Sequence, residues 1–169
     1  MQIKKWRTIL GIIICTVAGV LLHFAFEWSN NNKIVGYFSA VNESTWEHLK
    51  LLFFPVLVFT LFEWLFLKEK NTAFLFSRTV SVIVGMLFIV TAFYTISGIV
   101  GKTDMPVINI LIFVIGVIIT FLLTRVIEKS VFNTPKYFDI SAIIILLIIT
   151  VLFIVFTYNP ADIGLFKAP

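Results

Sequence analysis

The chain has 169 residues, 60% of them hydrophobic and only 13% charged, against about 45–50% and about 25% in soluble domains. That much apolar surface excludes a water-soluble globule, and the length suits one small membrane domain over residues 1–169 with no room for a second, soluble one. The net charge of +4 does not point to nucleic acid, because the basic residues sit in short stretches beside apolar runs, where they orient helices.

Met1–Arg7 with the apolar run behind it resembles a secretory signal. The run continues from about Ile9 to Phe26, which is longer than a signal core. Cys15 follows Ile12, Ile13 and Ile14, so no small residue precedes it as lipoprotein processing requires. A retained helix is therefore expected over Thr8–Trp28. As the only cysteine, Cys15 cannot form an intramolecular disulfide or a two-cysteine metal motif.

Four more runs reach the roughly 17–25 residues that a membrane span needs: Glu47–Leu67, Phe74–Val100, Met105–Ile127 and Ile140–Tyr158. They are continuous rather than alternating, so helices are expected, not a barrel. The predicted fold is an all-α bundle of five transmembrane helices.

With the N-terminus inside, nine Lys and Arg residues fall on the inner side: Lys4, Lys5, Arg7, Lys68, Lys70, Arg78, Arg125, Lys129 and Lys136. Four fall outside: Lys33, Lys50, Lys102 and Lys167. This bias predicts an N-in, C-out topology in a bacterial cytoplasmic membrane. Trp6, Trp28, Trp46 and Trp64 fall near helix ends, as interfacial anchors do.

Between the first two spans, Ile34, Val35, Tyr37 and Phe38 make an apolar patch too short to cross, expected on the outer interface. Pro55 should leave the Leu51 carbonyl without its helical donor. Ser81 and Gly85 offer a small face for close packing. Pro160 ends the last helix, and Leu165–Phe166 are expected to fold back on the outer surface.

The polar residues suited to chemistry gather at the outer ends of the first two spans. His23 and Glu27 are four apart and share a helical face. The second element begins N-E-S-T-W-E-H-L-K, Asn42 to Lys50. In antiparallel helices His23 and His48 sit at similar depth. Glu27, Glu43 and Glu47 lie at or above them. Two imidazoles with carboxylates suit zinc or another divalent transition metal. The expected ligands are His23, Glu27, Glu47 and His48, and Glu43 or Glu47 is a candidate general base toward a metal-bound water.

The same residues also have a purely structural reading. Ser44-x-x-Glu47 is a capping box, acidic residues favour a first helical turn, and Glu47 can pair with Lys50. Asn42, Tyr94, Ser97 and Tyr158 are candidate cavity residues, with Asp104 on the same side. Glu63, one turn inside the other face, is a functional candidate by position but can also pair with Lys68 or Arg78. Arg125, Glu128 and Lys129 read as an inner anchor. The tripeptide Phe-Glu-Trp occurs at Phe26–Trp28 and at Phe62–Trp64, too short to indicate duplication.

The strings H-F-A-F-E-W-S and V-N-E-S-T-W-E-H-L-K-L-L-F-F-P resemble a family of small bacterial integral membrane proteins of unknown function. The resemblance extends over most of the chain, including Y-T-I-S-G-I-V-G and the final Y-N-P. Its specific positions are His23, Glu27, Asn42, Glu43, Ser44, Trp46, Glu47, His48 and Lys50. A Pro-Pro pair of the family pattern is replaced here by Pro160-Ala161. The resemblance implies a shared membrane fold and no established activity.

Two functional expectations follow from the residues. One is a metal site acting in hydrolysis of an amphipathic substrate. The other is a non-enzymatic binding, transport or accessory subunit that acts as a homo-oligomer or with a protein partner among the lipids. A bis-histidine haem is a third, minor option.

Overall fold

In a computed structural model the chain is described over residues 5–66, 73–131 and 135–168. These form α1 (Lys5–Trp28), the single-turn α2 (Lys33–Gly36), α3 (Thr45–Phe66), α4 (Phe74–Val100), α5 (Pro106–Ser130) and α6 (Lys136–Tyr158), then a 3-10 turn at Gly164–Phe166. The described residues contain no strand. All the helices but α2 are long and apolar enough to cross a membrane, which makes five spans. Hydropathy located the spans well. Helices α1, α3 and α6 begin before their apolar runs and α5 outlasts its own, because a helix continues through the polar residues that meet water at its ends.

Helices α1, α3, α4 and α5 form a closed ring, each packing on the next and α5 returning to α1, while α6 packs on α4 outside it. Helix α3 is the most buried. Its Leu52, Phe53 and Val56 meet Cys15, Val82, Val117 and Phe121 in one core.

Two close approaches depend on glycine. A Cβ at Gly19 would lie 2.6 Å from the Leu51 carbonyl oxygen. That is the oxygen deprived of its helical donor by Pro55, which lies inside α3. Helix α1 thus lies close against the carbonyl that the proline freed. At the α4–α5 crossing, a Cβ at Gly85 would stand 3.0 Å from the Gly116 carbonyl and closer still to Thr120 Oγ1. We expect Gly85→Leu to force these backbones apart and cost about 1–3 kcal/mol, as overpacking does. Exposed Gly98 meets nothing within 4 Å, so Gly98→Ala serves as a neutral control. Equal unfolding stabilities of the two variants in detergent would refute close packing at this crossing.

Each helix of the ring contributes a buried charge at the end opposite His23: Arg7, Glu63, Arg78 and Glu128. Glu63 Oε1 accepts from Arg7 Nε at 3.0 Å, and its Oε2 accepts from Arg78 Nη2 at 2.7 Å. The Arg78 guanidinium also stands 4.4 Å from the Phe121 ring centre, a cation–π arrangement. Of the two partners expected for Glu63, Arg78 is observed and Lys68 lies outside the described residues. Glu128, expected as part of a surface anchor, is instead only 3% exposed. Trp46 lies at the start of α3, near a helix end as expected. Its ring is covered by Phe153, Phe156 and Phe166, with Phe166 brought in by the folded-back tail.

Candidate metal centre

The segment that carries Glu43 is tied down by local side-chain bonds. Helix α1 stops where Asn30 and Asn31 take left-handed φ values of 54° and 58°, which short polar side chains tolerate. Asn32 Oδ1 then accepts from the Ile34 amide at 2.9 Å and caps α2. Asn42 Oδ1 accepts from the Ser44 amide at 2.9 Å, and Ser44 Oγ accepts from the Glu47 amide at 3.4 Å, capping α3.

The return arm of the expected capping box is redirected. Glu47 Oε2 accepts from the Val41 amide at 3.0 Å and pairs with Lys50 Nζ at 2.5 Å. Lys50 Nζ also donates to the Gly36 carbonyl at 2.8 Å and to Thr157 Oγ1 at 3.1 Å. Glu47 and Lys50 are 1% and 0% exposed. This buried pair joins the α2 segment, α3 and α6.

Glu43, fixed between Asn42 and Ser44, reaches both histidines. Its Oε1 lies 3.8 Å from His23 Nε2 and its Oε2 lies 3.4 Å from His48 Nε2. One donor atom from each of the three residues falls within a group no wider than 4.8 Å. His48 Nδ1 lies 2.9 Å from the Ser44 carbonyl. A carbonyl only accepts, so Nδ1 carries a proton, which leaves Nε2 as the ring atom available to a metal. Such a bond orients a metal-binding imidazole. His23 Nδ1 is enclosed and has no hydrogen-bond partner among the described residues.

With bonds of about 2.0–2.2 Å, tetrahedral zinc separates its ligand atoms by about 3.3 Å. The separations from Glu43 are 3.8 and 3.4 Å, each to a different carboxylate oxygen, and the group reaches up to 4.8 Å, so the three side chains would have to draw together to hold one ion. The centre opens onto a cavity of about 590 Å³ inside the helical ring. The cavity's polar end adds Thr45, Thr103, Asp104 and Asn109. A porphyrin does not fit between the histidines. Their rings stack side by side, 5.3 Å apart and inclined by 29°, whereas axial ligands approach one iron from opposite faces.

Other residues named from the sequence lie elsewhere. Glu27 is exposed on α1 and is not in the three-residue group. Glu47 is committed to Lys50, because it turns inward one residue before His48 turns toward the cavity. Asn42 and Ser97 spend their side chains on local backbone bonds. Tyr94 is 43% exposed, and the Tyr158 hydroxyl donates to the Lys33 carbonyl at 3.0 Å. None of these six lines the cavity. Asn109 was not anticipated, although its place in the first turn of α5, level with His23, was a usable signal.

Comparison with curated proteins and with solved structures finds no match. A family model does match, and over the whole chain. The five apolar helices and the Asn42–Lys50 segment thus belong to a chain that, over residues 1–169, is a member of a family of unknown function, DUF6512.

Proposed function

We propose that this protein is a membrane metalloprotein in which His23, Glu43 and His48 bind one divalent transition metal, with zinc the best match. The observation that carries the reading is one carboxylate reaching two imidazoles, one of them already oriented by the Ser44 carbonyl. Two histidines and one glutamate are a ligand set that leaves a fourth position open, as catalytic zinc sites do. Here that position faces the cavity. The excess of Lys and Arg at the opposite end favours an outward-facing centre. It keeps its sign even with Arg7, Arg78 and Lys50 drawn into buried pairs.

Metal-assisted hydrolysis is the activity this set supports best, since a metal in an open site acidifies a bound water. Glu43 is then a ligand and Glu47 is held by Lys50. Asp104 is the other carboxylate on the cavity wall and is the candidate base.

The test is metal content of protein purified without a polyhistidine tag. We expect about one zinc per chain. His23→Ala and His48→Ala should each weaken zinc by more than the 10–100-fold that loss of an orienting partner costs. Exposed Glu27→Gln should leave zinc unchanged. Substoichiometric metal, indifferent to both histidine substitutions, would rule the reading out.

A further inference from the structure

We infer that the ligand of this cavity is an amphiphile with one apolar chain and an oxygen-bearing head, entering sideways from the bilayer between α1 and α5. The head-group part rests on the proposed metal centre, and the side entry does not.

The cavity is layered along the membrane normal. One helical turn below His23 lies Gly19, a turn below His48 lies Leu51, and a turn below Asn109 lie Ile112 and Phe113. Polar groups therefore form the upper layer and apolar ones the floor. A wholly polar solute would leave that floor unsatisfied. A wholly apolar one would make no use of the polar layer.

The walls are unequal. Leu51, Ile89 and Ile112 on the inner side are each 5% exposed. On the α1–α5 side, Val20, Phe24 and Ile110 also line the cavity, yet they are 43%, 41% and 56% exposed. The same side chains thus border both the cavity and the lipid-facing surface. Val20 is eight residues from the end of α1 at Trp28, which is about 12 Å along the helix. This side of the cavity therefore lies within the hydrocarbon, where an apolar chain passes and a hydrated solute does not, while the polar end at Glu43, Thr103 and Asp104 is exposed at the helix ends. A cavity of about 590 Å³ is of ordinary ligand size. It spans only about two helical turns, so the remaining chain leaves through the α1–α5 side.

The test uses the full chain in phosphatidylcholine vesicles and palmitic acid carrying a mid-chain diazirine. Photolysis should label Val20, Phe24 and Ile110 several-fold more than Ile148, Val151 and Val155, exposed at similar depth on α6. Val20→Trp with Ile110→Trp should reduce labelling of Phe24, the one of the three left unsubstituted, to the α6 level. Unlabelled palmitate should compete, and hexadecane should not. Even labelling of α1, α5 and α6 means annular lipid only and overturns the proposal, whatever the zinc content. Competition by acetate as effective as by palmitate overturns it in favour of a soluble ligand. Selective labelling of zinc-free protein, unchanged in His48→Ala, retains the side entry and overturns the metal-bound head.

Discussion

Glu63→Ala should be among the most destabilising single substitutions in this protein, by about 3–5 kcal/mol. The carboxylate is 2% exposed and accepts from two guanidiniums, at 3.0 Å from Arg7 and 2.7 Å from Arg78. Removing it takes away the carboxylate that both guanidiniums share, and Glu128 is the acidic neighbour that Arg78 retains. Neither guanidinium can lose its proton. Because Glu63 joins α1 to α4 through α3, the loss should loosen the whole end of the bundle. Glu63→Gln keeps hydrogen-bonding capacity without the charge and should fall between. Reversible unfolding in mixed micelles measures both variants. A loss under about 0.5 kcal/mol, the scatter of ordinary surface substitutions, would show that the network carries no net stability.

Lys50→Ala is the second large effect, and it links stability to the proposed site. It strands the Glu47 carboxylate, 1% exposed, and removes the donor to the Gly36 carbonyl and Thr157. The expected loss is again about 3–5 kcal/mol. Lys50→Met combined with Glu47→Gln should recover much of it, since removing both charges removes the unpaired one. Lys50 touches neither histidine, but the pair holds the segment that presents Glu43. Zinc affinity of folded Lys50→Ala should therefore drop by about 10–100-fold, as it does when an orienting partner is lost. Wild-type zinc affinity in a measurably destabilised variant would separate the clamp from the site.

The five spans were legible in the sequence because the bilayer imposes a one-dimensional rule. A run of apolar residues long enough to cross must satisfy its own backbone, and only a helix does so. The similar depth of His23 and His48 was legible for the same reason, since depth counts residues from a helix end. What depth could not supply was rotation about each helix axis and the path of the loop. Glu47 and His48 are adjacent in sequence, yet one turns into a buried lysine pair and the other into the cavity. Glu43 lies outside any long helix, and only the Asn42 and Ser44 bonds of the loop bring it between the imidazoles. Topology put Asp104 on this side and the first turn of α5 was a signal for Asn109, but only packing set both on the cavity wall.

The two Phe-Glu-Trp tripeptides mark the division. Composition and hydropathy by themselves determined an all-helical membrane protein, its five spans and the end at which its histidines lie. The tripeptide alone does not separate Glu27, which is exposed, from Glu63, which is enclosed by two arginines; depth along the helix put Glu63 a turn inside the membrane with Arg78 in reach, and packing added Arg7. The three residues are the same, but polar residues follow Trp28 and apolar ones follow Trp64. The difference lies in which neighbours face each carboxylate, and packing sets that. Tertiary packing set Arg7 beside Arg78 on one glutamate and His23 and His48 around another, because the rotation of each helix about its axis, which decides what a side chain faces, is fixed only when the helices pack.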